Sequence, residues 1–500
     1  MAKGANQFSN RWVMLAAMMG MAVGTGNIWR FPRIAATNGG GSFLIAWAFF
    51  LLVWAIPLIL VEFTVGKETR SGPIGAFVRL VGRRYAWMGA FIAWTTIAIM
   101  CYYSVVTGWS VRYLIASLTG ELSGAEPGAL WNSFAFGPGV LWVHALSMAA
   151  AVFIVAKGVK GIEAANKVMI PSLFVLLIIL AIRAVTLPGG TRGLEFLFGA
   201  NLADLANHEI WLAALTQNAW STGAGWGLIT VYAIYMREHE DTVLNSFALG
   251  LGNNLAGLIA GIMVLCTVFS ILPNAADQIV GAGNTGLTFI WVPQLFNAMP
   301  AGGFFMVLFF IALVFAALTS LIAMAELAVR VLTDVGMPRG RALAIVGIGG
   351  FAIGVPSALN ENVFLNQDFI WGVALLLSGI FFAFAVLKYG VRRFREGLVN
   401  TSDADLRMGR WWDWAIRLSI VEAAALVVWW FWQEGGIQQA LDGDWGALFG
   451  TFGLGWAVVQ WGVAVAVFLA LNEWLARRVT AGAPAAAERE AREEAPAPAS

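Results

Sequence analysis

Hydrophobic positions along the chain gather into twelve long runs, at about 12–35, 43–65, 87–118, 139–156, 168–187, 209–236, 243–272, 303–332, 342–356, 364–390, 414–434 and 445–476. A bilayer core is crossed by about 20 consecutive apolar residues in a helix, so each run predicts one membrane-spanning helix. The ninth run is short and the sixth to eighth are long. A transmembrane β-barrel would alternate apolar and polar residues with a period of two, and these runs do not. The pattern predicts an all-α polytopic membrane protein with 12 transmembrane helices. Residues 1–11 precede the first run. Residues 479–500 form a tail rich in Ala, Glu and Pro, a composition that predicts disorder.

Composition sharpens this picture. Of 500 residues, 59% are hydrophobic and 12% charged, about half the roughly 25% charged share of soluble chains. With the N-terminus inside, both tails and the loops after even-numbered spans hold most of the 30 lysines and arginines. The segment "GKETRSGPIGAFVRLVGRRY" alone contributes Lys67, Arg70, Arg79, Arg83 and Arg84. Such bias sets orientation, so both termini are expected in the cytoplasm, with the chain in a plasma membrane such as a bacterial inner membrane. The first run is too long for a cleavable signal peptide and lacks a small-residue cleavage site. Cys101 and Cys266 lie inside spans and His144, His208 and His239 are scattered, which argues against a disulfide framework or a metal cluster. No paired carboxylates or activated nucleophile suggest an enzyme, and no continuous polar pore suggests a channel.

Two spans are interrupted at mid-depth. The first carries "GMAVGTGNIWRFP" (Gly20 to Pro32) and the sixth "QNAWSTGAGWG" (Gln217 to Gly227). Hydrocarbon offers no hydrogen-bond partners, so unwound backbone survives there only inside protein or along a cavity. One glycine-rich span is explained by close helix packing; two at matching positions, five spans apart, point to a pair of inverted five-helix halves. Half-helix ends near the midplane suit a carboxylate at the positive N-terminal end and a cation at the freed carbonyls. In the eighth span, "FAALTSLIAMAEL" places Ala316, Thr319, Ser320 and Ala323 on one small, partly polar stripe. Its hydroxyls could back-bond to their own helix or complete a sodium cage with carbonyls of the first span.

These segments resemble the neurotransmitter:sodium symporter family. "NRWVMLAAMMGMAVGTGNIWRFPRIAATNGGGSF" is similar to its first helix and following loop, "CYYSVVTGW" to its third helix, and "QNAWSTGAGWG" to its sixth. "LGNNLAG" resembles the seventh and "AALTSLIAMAE" the eighth. The likeness covers roughly the first 400 residues, and "GNIWRFP" followed by "NGGG" is its most specific part. Broken first and sixth helices are themselves a known mark of that family, so the two arguments are not independent. The resemblance implies a five-plus-five inverted repeat over 12–187 and 209–390, with 414–476 as outer helices.

It further implies sodium-coupled uptake of an amino acid. The first sodium site would use Ala22, Asn27, Ser221 and Asn253, and the second Gly20, Val23, Ala316, Thr319 and Ser320. Ala22 stands where amine-carrying members have an aspartate, which implies a substrate bringing its own carboxylate to Tyr103. Thr25, Gly26, Ile99, Trp220, Ser221, Gly223, Trp226, Ser320 and Met324 would complete the substrate pocket. Trp226 takes up space and Gly223 releases it, features shared with carriers of glycine and N-methylglycine. Two indoles could equally frame a larger apolar substrate, and a non-transporting amino-acid sensor on the same fold is a further alternative.

Arg30 and Asp368 match the outer gate, and Tyr235 and Asp334 the inner one. The usual inner tryptophan is Phe8 and the usual arginine aligns with Ala5, leaving Lys3 or Arg11 to substitute. Gln217, Ser221 and Asn253 match a chloride-site region, but its tyrosine is Trp47 and position 257 is glycine, so chloride stays open. Glu326 is a candidate proton carrier or a structural hydrogen-bonding acid. Glu62, at a cytoplasmic end, and Glu422, in the outer helices, weigh less. The expected partners are a small-molecule amino acid, sodium ions and the bilayer, with no nucleic acid.

Overall fold

The computed structural model describes residues 7–124, 126, 128–272, 281–401 and 404–481. Among these residues the chain is helical, with no strand. The twelve traversals are built from fifteen helices. The first is broken into α1 (Arg11–Ala22) and α2 (Gly26–Thr37), which meet at a 58° bend. Then follow α3 (Gly41–Thr69), α4 (Arg83–Thr119), α5 (Val140–Ala156) and α6 (Gly158–Val185). The sixth traversal is broken into α7 (His208–Ser221) and α8 (Leu228–Ala233). After it come α9 (Thr242–Ile271), α10 (Gly302–Asp334), α11 (Arg339–Leu359), α12 (Glu361–Tyr389) and α13 (Trp411–Glu434). The last comprises α14 (Leu454–Ala470) and α15 (Asn472–Ala481), bent by 59°.

Local chemistry sets these boundaries. Asn10 caps α1 by accepting from Val13 N at 3.0 Å, and Asp241 caps α9 by accepting from Val243 N and Leu244 N at 2.8 and 3.0 Å. Asn360 does the same for α12 through Val363 N. Each side chain satisfies a donor that the first helical turn leaves without a partner.

Several expected bounds shift. The fifth span begins ten residues earlier than 168, because the polar "GVKGIEAANK" stretch joins the same helix. The ninth extends over Arg339–Leu359 rather than 342–356. The twelfth does not begin at 445: Trp445–Phe449 is a separate short turn, and the span bends at Leu471. Residues 479–481 belong to α15 rather than to a tail, while 482–500, like Lys3 and Ala5, lie outside the described residues.

Burial divides the helices into two sets. α4 and α10 pack along each other at the centre, α1, α6 and α8 pack on α10, and α9 packs on α1 and α6. Outer helices turn large apolar side chains outward, among them Ile348 on α11, Trp414 and Val421 on α13 and Val463 on α14. A water-soluble fold would pay heavily for such faces, whereas lipid accepts them. The two interrupted traversals are therefore held inside protein, as their backbone demands.

Candidate functional site

The site is assembled where the two broken traversals face α4, α9 and α10. Helix α1 ends as Val23 N bonds to Met19 O at 2.7 Å. Gly24 N then turns to the side chain of Asn27, donating to Oδ1 at 3.1 Å. In the sixth traversal Gly223, Gly225 and Gly227 adopt φ of 74°, 86° and 75°, a left-handed conformation that residues with a side chain rarely take. Three such residues in alternation explain why α7 cannot run on into α8.

Glu62 organises the second break. Fully buried on α3, it accepts from Gly225 N at 2.7 Å and from the Thr230 backbone and hydroxyl at 3.2 and 3.1 Å. One carboxylate thus satisfies donors that the missing helical turn would otherwise have paired. Expected near a cytoplasmic end and given little weight, Glu62 holds the second break. The signal was an acid inside an apolar run, a rarity that marks function.

A first group of oxygens forms between the breaks. Asn27 Nδ2 donates to Asn253 O and Oδ1 at 3.1 and 3.0 Å, and Asn253 Nδ2 lies 3.4 Å from Ser221 Oγ. Turned one way, the Asn253 carboxamide would donate to Ser221 O at 2.9 Å and Ala22 O at 3.2 Å. Turned the other way, its oxygen joins those two carbonyls in a cluster that a cation would hold together. Ala22, Asn27, Ser221 and Asn253 are all buried, and the structure brings them together.

A second group lies between α1 and α10. Ser320 Oγ stands 3.3 Å from Met21 O and 3.5 Å from Gly20 O. Thr319 donates within its own helix, to Phe315 O and Ala316 O at 2.8 and 3.1 Å, so its oxygen keeps lone pairs for a ligand. Gly20, Val23 and Ala316 complete this buried neighbourhood.

Above it, Tyr103 reaches from α4 over the unwound segment. Its hydroxyl accepts from Thr25 N at 3.2 Å, lies 3.1 Å from Thr25 Oγ1, and also hydrogen-bonds the Ser320 side chain. Gly24 is needed here, since a Cβ would come within 2.9 Å of Ser320 Oγ and 3.2 Å of Tyr103 Oη. At Gly26 a Cβ would meet nothing within 4 Å, so the segment has open space on that side. Ile99, Met324 and Trp226 are buried, and Trp226 O accepts from Thr96 at 2.6 Å. Gly223 faces Met21, whose methyl would lie 3.3 Å from a Cβ there.

The outer end is closed by aromatic contacts more than by a direct ion pair. Arg30 lies over the Trp220 ring at 4.5 Å, and Asp368 hydrogen-bonds Tyr102. At the inner end Asp334 pairs with Arg330 at 2.7 Å and accepts from Gly72 N at 2.7 Å. Arg11 is turned to Asn245 Oδ1 at 3.2 Å, so it does not take the expected gate position. Phe8 packs edge-on against Tyr232 and Tyr235, each at 6.2 Å. Glu326 is not a free acid: Tyr235 Oη donates to it at 2.6 Å and Arg339 pairs with it at 2.8 Å.

The expected chloride region keeps unpaired groups. Gln217 Oε1 and Trp47 Nε1 are buried without a partner. The Phe31 ring packs at a 44° tilt against Trp47, centroids 4.5 Å apart, and lies beside Gly257, where a Cβ would touch it at 3.4 Å.

A helical membrane protein with two helix breaks face to face, each ringed by buried oxygens, has the architecture of a secondary transporter. The chain belongs to the sodium:neurotransmitter symporter family, whose model matches residues 5–136 and 136–433, and is a sodium-dependent symporter of that family. It is 30% identical over 447 residues to the sodium-dependent transporter YhdH of Bacillus subtilis, covering 84% of this chain and 96% of that one. A sodium-dependent transporter of Methanocaldococcus jannaschii, MJ1319, is 30% identical, over 81% of this chain and 86% of that one. Among solved structures, MhsT in complex with L-phenylalanine matches with a TM-score of 0.73 at 31% identity, over 85% of this chain and 99% of that one.

Proposed function

We propose that the protein takes up a neutral amino acid together with two sodium ions by alternating access. The observation that carries this is Tyr103: its hydroxyl is anchored on Thr25 beside an unwound segment whose neighbour Ala22 supplies no fixed anion, and a hydroxyl there could turn its hydrogen to a carboxylate. A substrate carboxylate would receive that hydrogen and also balance a cation among Ala22, Asn27, Ser221 and Asn253. The second cation would lie among Gly20, Val23, Ala316, Thr319 and Ser320, where hard carbonyl and hydroxyl oxygens fit an alkali ion. Coupling follows from the shared ligand, because neither sodium nor carboxylate is well solvated without the other.

Energetics favour this arrangement. Each charge gains about 2.3 kcal/mol across 100 mV, and a tenfold gradient adds about 1.4 kcal/mol per ion. Two ions supply about 7 kcal/mol, on the order of a 10⁵-fold accumulation of a zwitterion.

A small or N-methylated substrate, such as glycine or sarcosine, is favoured by the buried Trp226 and by Met21 against Gly223. The phenylalanine bound by MhsT favours a second reading, a large apolar amino acid framed by Trp220 and Trp226. Uptake into liposomes against glycine, sarcosine, alanine, leucine and phenylalanine, in sodium or potassium, decides between them. Failure of every amino acid to bind with sodium present would overturn the carboxylate assignment, and binding without trans-stimulated exchange would favour a sensor.

A further inference from the structure

Asn166 on α6 is fully buried. Its Nδ2 donates to Ile162 O, one turn back, at 2.9 Å. That bond fixes the carboxamide, so Oδ1 points away from its own helix. This oxygen is buried and meets no donor. It faces Gly20 of α1 so closely that a Cβ there would overlap it. A buried amide oxygen is costly unless something electropositive meets it.

The neighbours on the other side are also oxygens. Gly20 O and Met21 O stand 3.5 and 3.3 Å from Ser320 Oγ, and α6 packs along both α1 and α10. A residue's Cβ position and carbonyl oxygen are about 3 Å apart by standard backbone dimensions. Asn166 Oδ1 is therefore within about 5 Å of Gly20 O. Two ligands on opposite sides of a hard cation, with bonds near 2.4 Å, are separated by about that distance.

We propose that Asn166 Oδ1 is a further oxygen ligand of the sodium ion held between Gly20 and Ser320, an inference that rests on the sodium sites proposed above. The ion then ties α6 to α1 and α10, and its departure releases α6 from both. Glycine at 20 serves two ends: its carbonyl faces the ion and its missing Cβ admits the Asn166 oxygen.

The test is a sodium titration of the purified full chain, read by binding of radiolabelled sodium and by sodium-dependent thermal stabilisation, with potassium as control. Asn166→Leu is expected to raise the half-maximal sodium concentration about tenfold. Asn166→Asp, which keeps an oxygen in place, should stay within about threefold of the parent. If Asn166→Leu folds poorly, Asn166→Ser serves, since its shorter side chain withdraws the oxygen and should give the same loss. Parental titration in both Asn166→Leu and Asn166→Ser overturns the proposal. The double variant Thr319→Ala, Ser320→Ala separates the two failures: if it too titrates like the parent, the sodium site itself is misplaced.

Discussion

Gly372 on α12 gives the indole of Trp220 its seat: a Cβ at 372 would fall inside the ring, overlapping Cη2 and Cζ2. Arg30 lies over the face of the same ring at 4.5 Å, so the indole meets a glycine at its benzo edge and a guanidinium on its face. Cation–π contacts of this kind are worth about 0.5–2 kcal/mol. Gly372→Ala should push the ring off its seat at an overpacking cost of about 1–3 kcal/mol. The expected result is substrate affinity reduced by about tenfold and faster release, measured by equilibrium binding and dissociation of labelled substrate. Adding Trp220→Phe should recover part of the loss, because a smaller ring does not reach position 372. Additive effects of the two substitutions would separate the residues energetically.

Glu62 supports a second prediction. Its carboxylate accepts from Gly225 N, Thr230 N and Thr230 Oγ1, three donors left over by the break between α7 and α8. Glutamine keeps the shape but turns one acceptor into a donor. Bonds to a charged acceptor are worth about 1.5–3 kcal/mol each. Glu62→Gln should lower the thermal midpoint by several degrees and depress uptake, with Glu62→Asp intermediate. An unchanged midpoint in thermal unfolding would mean that the second break is held from elsewhere.

Much of this organisation was legible in the sequence because membrane physics leaves few options. Apolar runs of helical length fix the spans, and the glycine-rich segments of the first and sixth spans mark the breaks, since lipid cannot solvate free backbone. The gathering of Asn27, Ser221 and Asn253 followed from motif likeness. What stayed hidden depended on side-chain direction. Nothing in the run around Glu62 says which neighbour its carboxylate meets, and Gly372 is one glycine among 56. The bend at Leu471 falls where the apolar run meets Asn472 and Glu473, and neither glycine nor proline announces it. Arg330 passed unnoticed because an arginine near a span end is ordinarily explained by snorkelling.

Sodium removal gives a third prediction. A ligand that binds only the folded state stabilises it by about 2.7 kcal/mol at a hundred times its dissociation constant. Exchanging sodium for potassium should therefore lower the unfolding midpoint of the purified protein. Thr319→Ala with Ser320→Ala should remove part of that shift, and addition of Ser221→Ala most of the remainder. The amino acid should add stability only when sodium is present, if the carboxylate and the first ion share a site. Thermal unfolding with each ion, with and without amino acid, reads all three outcomes.

The inner closure yields the last prediction. Asp334 is met by Arg330 at 2.7 Å from its own helix and by Gly72 N at 2.7 Å, while Arg11 is engaged with Asn245. Arg330 also donates to Arg70 O at 3.2 Å, so it joins α10 to the loop after α3. The N-terminal segment contributes Phe8, through its backbone bond to Tyr235 O at 3.0 Å and its edge contacts with two tyrosines. Arg330→Gln should therefore loosen the inner end and Arg11→Gln should not. Loss of a partly buried charged contact worth about 1.5–3 kcal/mol would shift an inward–outward equilibrium by roughly ten- to a hundredfold. Binding of amino acid in sodium should fall accordingly in Arg330→Gln, because the inward-open form releases it. Normal binding in Arg330→Gln with loss in Arg11→Gln would return the closing charge to the N-terminal segment.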